Sequence, residues 1–302
     1  KEKTMPSGEI GLVGLGIMGK PMARNMMEAG YSVTVFDLVG PAMEEVVTDG
    51  AKAASSAKEV AEAAPVVITM VPDSPQSEAA ILGPNGVLEG ASAGSVVIDM
   101  SSIAPGSSQK IAAACEAAGV AFLDAPVSGG EPGAVAGTLA IMVGGKQDVF
   151  DTQLELLESM GGSIVLCGDY GAGNTTKLAN QIIVAANIEA VGEAFTLAKK
   201  AGLDPNVVFE AIKGGLAGSS VLNAKGPMMM SGDFTPGFRI NLHRKDLNNA
   251  LITGQQLGVS LPVTALVQQM IVSLVNSGEG DSDHSAIAKF LEDMAGIKIS
   301  GD

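Results

Sequence analysis

A glycine-rich turn between an apolar run and a helix-like run constrains this chain most strongly. The stretch GLVGLGIMGKPMARNMMEAGYSVTVFD (residues 11–37) places Gly14, Gly16 and Gly19 after a β-like run and before a helical pattern. The three glycines are predicted to serve, in turn, a tight turn, close approach of backbone to a pyrophosphate, and close helix–strand packing. The helix amides and dipole can then hold a diphosphate. We therefore predict a dinucleotide-binding turn, with Leu15, Ile17 and Met18 as its other residues.

Asp37 ends the next apolar run, at the spacing expected for a ribose ligand. A carboxylate there accepts both hydroxyls of the adenosine ribose and repels a 2′-phosphate. The next residue is Leu38, not the arginine that often binds such a phosphate. The alternative for Asp37 is an ordinary turn residue at the end of a strand. We expect NAD as the cofactor, with NADP as the second choice.

The charge and composition exclude several classes of partner. The chain of 302 residues has a net charge of −15, whereas nucleic-acid and anionic-membrane surfaces need basic patches. Aromatic residues make up only 3%, so stacking on bases is not expected to drive binding. Apolar residues reach 46%, enough for a substantial core. We expect a small-molecule ligand, and neither nucleic acid nor a membrane.

The cellular compartment is predicted from what the sequence lacks. Its most apolar stretches are interrupted by polar residues before they reach the roughly 18 that a membrane span needs, and residues 1–9 have no apolar signal core. Cys115 and Cys167 lie far apart, and neither a CxxC nor an HExxH motif occurs. These observations predict a cytoplasmic protein with reduced thiols and no metal site.

The first half alternates short β-rich runs with helical segments. Such continuous apolar runs predict a parallel sheet buried on both faces, in a doubly wound α/β domain of Rossmann type. The predicted strands are Ile10–Leu15, Ser32–Asp37, Pro65–Val71, Ser95–Met100, Val120–Asp124, Leu139–Val143 and Ser163–Cys167.

The second half is predicted to be all-helical. One long helix is expected from about 174 to 201, since Gly202 and Pro205 are stop signals. We therefore expect a dinucleotide-binding domain at 1–170 and a helical substrate and oligomerisation domain at 171–302, joined by this helix. Further helices are predicted at Asn206–Lys213, Leu242–Gln256, Val263–Asn276 and His284–Met294.

Two polar segments carry candidate chemistry. In DAPVSGGEPGAVAGTL (124–139), Ser128 and the amides of Gly129 and Gly130 can grip a carboxylate, although an ordinary glycine-rich turn explains the spacing equally well. In GAGNTTKLANQ (171–181), Lys177 shares a helix face with Asn180 and Gln181 at i+3 and i+4. An ammonium group there can protonate an alkoxide formed by hydride transfer to a carbonyl carbon. A solvated lysine near a helix start is the alternative.

A third segment, FRINLHRKDLNNA (238–250), gathers Arg239, Arg244 and Lys245 in an otherwise acidic chain. A basic residue here can reach the cofactor or a substrate carboxylate, or can simply form a helix surface in which Lys245 pairs with Asp246. His243 and His284 are candidates for structural histidines, and we assign neither to catalysis. The methionine-rich GPMMMSGDF is more typical of core or interface packing than of a cofactor site.

Together these segments resemble the β-hydroxyacid dehydrogenase family. The resemblance rests on IGLVGLGIMGKPMARNM, DMSSIAP, DAPVSGGEPGAVAGTLAIMVGG, GAGNTTKLANQ and GFRINLHRKDL, in that order over nearly the whole chain. It implies a Rossmann domain followed by a helical domain that supports a homodimer or homotetramer. The residues KEKTMPSGE precede the family's usual start, which makes Met5 a candidate initiator.

The resemblance also implies roles for individual residues. The family's catalytic lysine falls on Lys177. Many members carry an asparagine four residues later, where this chain has Gln181, so either Gln181 or Asn180 is the candidate substrate amide. The substrate-binding Ser-Gly-Gly falls on Ser128, Gly129 and Gly130. The cofactor contacts fall on Gly14, Gly16, Gly19, Asp37, Val71, Pro72, Ser102 and Lys245.

The branch that SSIAP, GGLAGSSVLNAKGPMM and DHSA resemble reduces tartronate semialdehyde to D-glycerate. The resemblance thus implies reduction of a small carboxylate-bearing aldehyde by NADH. The rivals within the family act on 3-hydroxyisobutyrate, glyoxylate or succinic semialdehyde. Imine reductases share the fold but usually replace the lysine. A dinucleotide-binding sensor or scaffold without turnover is the rival from another class.

Overall fold

The structure, a computed structural model, describes residues 8–301; the candidate initiator Met5 lies outside that range. By internal contacts the chain divides into two units, Lys1–Lys177 and Leu178–Asp302. The division falls within the first turns of the long helix that the sequence predicts.

The first unit is built on a nine-stranded sheet with the order β3-β2-β1-β4-β5-β6-β8-β7, in which β9 also pairs with β8. Its strands are β1 (Glu9–Val13), β2 (Ser32–Phe36), β3 (Lys52–Ala53), β4 (Val66–Thr69), β5 (Val96–Asp99), β6 (Ala121–Asp124), β7 (Val127–Ser128), β8 (Leu139–Gly145) and β9 (Gly161–Gly168). Its helices are α1 (Gly19–Glu28), α2 (Gly40–Thr48), α3 (Ala57–Ala63), α4 (Ser74–Leu82), α5 (Val87–Gly90), α6 (Pro105–Ala117), α7 (Gly130–Val135) and α8 (Gln147–Glu158).

The central strands confirm the predicted parallel sheet with two buried faces. Strands β1 to β6 pair in parallel, with β1 between β2 and β4. Adjacent residues of one strand enter different apolar clusters: Leu12 and Ile98 lie in one, and Val13 and Val97 in the other. Because successive side chains point to opposite faces of a sheet, these clusters cover its two sides.

The expectation of parallel pairing and of burial on both faces is wrong at the far edge. Strand β8 runs antiparallel to both β6 and β7. The connection from β7 to β8 is only 129–138, shorter than most parallel crossovers, so the chain returns in the opposite direction. Strand β9 pairs with β8 in parallel and leaves several residues exposed, Val165 by 54%. An apolar run specifies a strand but not its direction.

The long predicted helix is α9 (Ala172–Lys200), close to the predicted 174–201. Among the described residues it is the one helix long and apolar enough to cross a membrane by length and composition. That is weak evidence, because core helices of soluble proteins pass the same test. Its sequence is interrupted by Asn187, Glu189 and Glu193.

The second unit is helical, as predicted. Besides the rest of α9 it contains α10 (Pro205–Ile212), α11 (Ser220–Ser231), α12 (Ile240–Leu257), α13 (Pro262–Asn276), a 3₁₀ turn (His284–Ala286) and α14 (Ile287–Ala295). Helix α11 was not predicted, because Pro227 lies inside it. The methionine-rich segment belongs to this helix, and Met229 is fully buried in the core of the unit.

Candidate active site

The three glycines of the turn between β1 and α1 differ in the space that surrounds each of them. Gly14 has a φ of +102°, and a Cβ there would lie 2.3 Å from the main-chain oxygen of Met70. A Cβ on Gly19 would lie 2.0 Å from the main-chain oxygen of Gly14. A Cβ on Gly16 would meet no described atom within 4 Å. Protein packing therefore requires Gly14 and Gly19, whereas only a closely approaching ligand would require Gly16.

Helix α1 presents its N-terminus at this turn. Within residues 8–301 no side chain caps that end, so its amides and dipole suit an anionic ligand. A cavity of about 330 Å³ adjoins the turn, lined by Leu15, Gly16, Ile17, Lys20, Pro21, Arg24, Glu45, Glu131 and Val135. Its basic side chains are ion-paired with α2 and with the residue that follows it: Lys20 with Glu45 at 2.5 Å, and Arg24 with both Glu45 and Asp49 at 2.7 Å.

Asp37 lies at the end of β2 and faces the glycine turn. Its Oδ2 accepts a hydrogen bond of 2.6 Å from the N–H of Leu15, and its Oδ1 one of 2.7 Å from the N–H of Val39. Each carboxylate oxygen has a second lone pair with which to accept a hydroxyl. The carboxylate is thus fixed in orientation next to the turn.

A buried carboxylate organises the loops that follow β4 and β5. Asp99 accepts hydrogen bonds from the hydroxyl of Thr69 at 2.8 Å and the N–H of Ser101 at 3.1 Å. Burial raises the pKa of Asp99, and these hydrogen bonds oppose that shift. The hydroxyl of Ser101 accepts from the N–H of Val71 at 2.9 Å. This places Val71 and the half-buried Ser102, two predicted cofactor contacts, in adjoining loops.

A second buried carboxylate holds the start of α9. Asp124 accepts hydrogen bonds from the N–H groups of Gly171 at 2.7 Å and Asn174 at 2.8 Å. Burial raises the pKa of Asp124 to about 6, although both N–H groups stabilise its charged form. A Cβ on Gly173 would lie 2.3 Å from the main-chain oxygen of Met142, so the helix starts directly against the sheet.

Asn174 ties this helix start to the loop that contains Ser102. Its Oδ1 accepts from the N–H of Ile103 at 2.9 Å, and its Nδ2 donates to the hydroxyl of Ser108 at 3.0 Å. Lys177 follows three residues later on α9 and is only 6% exposed. A buried ammonium on a helix held at its first turn is well placed to transfer a proton without losing its orientation.

The Ser-Gly-Gly segment spans the end of β7 and the start of α7. Gly129 and Gly130 have φ angles of +134° and +60°, which favour glycine at both positions. Helix α7 packs on α1, where the Nδ2 of Asn25 donates to the main-chain oxygen of Ala134 at 2.6 Å. The first unit therefore brings this segment to the helix that carries the glycine turn.

In the second unit, the two candidate amides of α9 differ in environment. Gln181 is 4% exposed, and its Nε2 donates to Oδ2 of Asp246 on α12 at 2.5 Å. Asn180 is half-buried, and its Nδ2 donates to Oε1 of Gln181 at 2.9 Å. Lys245 pairs with Asp246 at 2.9 Å. Arg244 is exposed, and Arg239 lies 3.5 Å from Asp281.

The two histidines, His243 and His284, contact each other in the second unit. Their Nδ1 atoms lie 2.8 Å apart, and Nε2 of His243 lies 3.3 Å from the main-chain oxygen of Gln181. Because a carbonyl oxygen only accepts, Nε2 of His243 carries the hydrogen and its Nδ1 accepts from His284.

Asp283 anchors the DHSA segment. Its buried carboxylate accepts from Lys225 Nζ at 2.9 Å, from the N–H groups of Gly237 and Phe238, and from both the N–H and the hydroxyl of Ser285. Burial opposes ionisation, but the charge of His284 and these hydrogen bonds outweigh it and lower the pKa of Asp283 to about 2.

One of the two cysteines is poorly suited to thiolate chemistry. Burial raises the pKa of Cys115 to about 12, which suppresses its thiolate. Both cysteines are free, and residues 8–301 contain no group of three or more metal-ligating side chains.

Comparison with known proteins shows which families and which relatives this chain is similar to. Residues 9–168 match a family described as the NAD binding domain of 6-phosphogluconate dehydrogenase. Residues 171–291 match a family described as NAD-binding of NADP-dependent 3-hydroxyisobutyrate dehydrogenase. The chain is also 45% identical to 2-hydroxy-3-oxopropionate reductase of Escherichia coli K12, over 97% of this chain and 100% of that protein.

The chain belongs to the β-hydroxyacid dehydrogenase family.

Other relatives of this β-hydroxyacid dehydrogenase differ in the substrate that they are named for. It is 40% identical to 2-(hydroxymethyl)glutarate dehydrogenase of Eubacterium barkeri, over 97% of this chain and 98% of that one. The structure of Mycobacterium tuberculosis 3-hydroxyisobutyrate dehydrogenase with L-serine superposes with a TM-score of 0.88 at 33% identity, covering 95% and 99% of the two chains. The family thus establishes an NAD(P)-dependent oxidoreductase acting on CH–OH groups.

Sequence reasoning assigned no role to Asp99, Asp124 and Asn174, which hold the loops of the candidate site. All three lie within segments that carry the family resemblance, DMSSIAP, DAPVSGGEPGAVAGTLAIMVGG and GAGNTTKLANQ. Their roles depend on partners that are distant in sequence, 71 positions for Ile103 and Asn174.

Proposed function

We propose that this protein reduces tartronate semialdehyde (2-hydroxy-3-oxopropanoate) to D-glycerate with NADH. The observation that carries the choice of substrate is the 45% identity, over its entire length, with the E. coli enzyme named for that reaction. The segments that resemble that branch, GGLAGSSVLNAKGPMM and DHSA, include the Lys225–Asp283 pair that anchors the second unit.

The choice of NADH is supported by the charges around Asp37. The carboxylate is fixed by Leu15 and Val39, and the residues that follow it, Leu-Val-Gly-Pro at 38–41, include no cation. The nearby Lys20 and Arg24 are neutralised by carboxylates of α2 and of the residue that follows it. A ribose 2′-hydroxyl is therefore favoured over a 2′-phosphate.

The proposed chemistry divides the work between the cofactor and the chain. NADH, when bound, supplies the hydride that reduces the aldehyde carbon. The electron pair of the C=O bond moves to oxygen as an alkoxide, and the ammonium of Lys177 gives it a proton. Ser128 and the amides of Gly129 and Gly130 bind the substrate carboxylate. The glycine turn, Val71, Pro72, Ser102 and Lys245 bind the cofactor.

We also propose that the protein acts in the cytoplasm as a homodimer or homotetramer. The second unit supports the self-association, since α9 and α14 expose Leu197 and Met294, each by 73%, beside a groove of about 700 Å³. Light scattering of the purified protein, compared with a Leu197→Lys variant, tests the association.

A substrate panel tests the assignment. We expect kcat/KM with NADH to be highest for tartronate semialdehyde, compared with methylmalonate semialdehyde, glyoxylate and succinic semialdehyde. A higher value for methylmalonate semialdehyde would favour 3-hydroxyisobutyrate dehydrogenase activity, which the Mycobacterium structure makes the second candidate.

A further inference from the structure

Gln181 joins three other side chains of the second unit in one buried network. Its Nε2 donates to Asp246 Oδ2 at 2.5 Å, and its Oε1 accepts from Asn180 Nδ2 at 2.9 Å. Its main-chain oxygen contacts His243. Both ends of the amide therefore make internal contacts, and at 4% exposure little of the residue is left to meet a ligand.

Asp246 extends this network to a cation. It is 1% exposed, and its other carboxylate oxygen, Oδ1, lies 2.9 Å from Nζ of Lys245. A buried carboxylate needs both a counter-charge and hydrogen-bond donors. Lys245 supplies the counter-charge and Gln181 supplies a hydrogen-bond donor. The orientation of both side chains therefore depends on the carboxylate of Asp246.

We propose that Gln181 is a positioning residue and not a substrate ligand. Together with Asp246 it fixes the amide plane of Asn180, a candidate substrate contact, and links it to Lys245, a candidate cofactor contact. This inference rests on the proposed function, in which Lys245 binds the cofactor, and on Asn180 as the candidate substrate amide. Gln181 serves this purpose because its amide supplies a donor to Asp246 and an acceptor to Asn180 at the same time.

The length of the side chain matters in this arrangement. An asparagine at position 181 would be one methylene shorter, about 1.5 Å of reach. From the same helix position it would not reach Asp246, and the carboxylate would lose its donor. The hydrogen bond to Asp246 on α12 thus explains why this chain has glutamine, and not asparagine, four residues after Lys177.

An exchange of groups between positions 181 and 246 tests the proposal. In Gln181→Glu two carboxylates face each other and must share a proton, so activity falls as the pH rises. In Asp246→Asn the amide removes the negative charge that faces Lys245. In the double variant, the amide introduced at position 246 donates to the carboxylate introduced at position 181. Asn180 still donates to that carboxylate, so both hydrogen bonds of residue 181 and the net charge are restored, while Lys245 faces an amide oxygen in place of its carboxylate.

We expect each single variant to lose about tenfold or more in kcat/KM for the semialdehyde, as for a lost hydrogen bond to a charged group. The loss should lie mainly in KM, and the double variant should recover the part of it that Gln181→Glu causes, together with a wild-type pH profile. Gln256→Glu, at an exposed position of α12, is the matched control and should behave as wild type. Losses that simply add in the double variant would overturn the proposal.

Two further measurements separate this inference from the proposed function. The side-chain amide signals of Asn180 in ¹⁵N NMR, assigned with Asn180→Asp, should shift in Gln181→Glu and return in the double variant, whatever substrate the enzyme uses. Unchanged Asn180 signals in the single variant would overturn the inference even in an active enzyme. Gln181→Met keeps the volume of the side chain without its polar atoms and serves as the test if the charged variants do not fold. In this variant the Asn180 signals and the KM should shift in the same way as in Gln181→Glu. Wild-type values of both would contradict the proposal.

Discussion

The carboxylate of Asp37 accepts a hydrogen bond of 2.6 Å from the N–H of Leu15, which joins the end of β2 to the glycine turn. The residue that we propose to select the nucleotide therefore also holds the shape of the turn. A second N–H, from Val39, holds the other carboxylate oxygen in place.

Replacing Asp37 by Asn should reduce the preference for NADH. The amide retains one acceptor but loses its charge, so kcat/KM with NADH should fall by roughly 10- to 100-fold, as for loss of a hydrogen bond to a charged group. The value with NADPH should fall less, because repulsion of the 2′-phosphate is relieved. Steady-state kinetics with both cofactors measures this, and Asp148→Asn at an exposed site of α8 is the control. Equal losses with both cofactors would refute this use of Asp37.

Gly16→Ala and Gly19→Ala should fail in different ways. An added methyl at Gly16 meets no described atom within 4 Å, so the free energy of unfolding should change by no more than about 0.5 kcal/mol. Calorimetric binding of NADH should nevertheless weaken strongly. At Gly19 the methyl overlaps the carbonyl of Gly14, and stability should fall by roughly 1–3 kcal/mol. A Gly16→Ala variant that binds NADH normally would argue against close approach of the cofactor there.

Asp124 should titrate near pH 6 in the folded protein. Burial raises the pKa of Asp124, so this carboxyl group is protonated near pH 6 in the folded protein. In the unfolded chain the same group is protonated only near pH 4. Protonated Asp124 therefore adds on the order of 3 kcal/mol to the free energy of unfolding below about pH 4, and this stabilisation is lost as the pH rises through 6. Carboxyl ¹³C NMR, assigned with Asp124→Asn, measures the midpoint. Asp204, an exposed cap whose pKa is lowered by hydrogen bonds from Asn206, is the control. A midpoint for Asp124 at or below the usual value would contradict burial as the dominant effect.

Asp283 should matter more to the stability of the second unit than any exposed ion pair. Asp283→Asn leaves Lys225 without a counter-charge, and the free energy of unfolding should fall by roughly 3–5 kcal/mol. Urea denaturation monitored by circular dichroism measures this loss. Lys213→Met, which removes the exposed pair with Glu210, should cost no more than about 1 kcal/mol. Similar losses in the two variants would show that Asp283 is not an anchor.

The sequence predicted the fold where local pattern determines it. Apolar runs and helical periodicity located the seven longer strands and α9. The two-residue strands β3 and β7 are too short to show a pattern, and the antiparallel direction of β8 depends on the short return from β7. Helix α11 was missed because Pro227 is a helix breaker whose cost is offset here by burial of Leu222 and Met229.

The sequence singled out the motif residues of the candidate site but not the residues that hold them in place. Gly14 and Gly19 have the tight contacts that the motif requires. The alternatives at Asn180 and Gln181 could not be resolved from the sequence, because Asp246 lies 65 residues away from Gln181. Asp124 likewise depends on Asn174, 50 residues later in the chain.

The central claim is that Lys177 protonates the alkoxide formed from tartronate semialdehyde by NADH. The most direct test is single-turnover loss of NADH absorbance in stopped flow, with wild type and Lys177→Met at saturating cofactor and substrate. We predict rapid loss in wild type and a rate constant lower by about 10²- to 10⁴-fold in the variant. The affinity for NADH, measured by calorimetry, should be nearly unchanged. A variant that oxidises NADH at the wild-type rate, or a wild type that does not oxidise it with this substrate, would contradict the account.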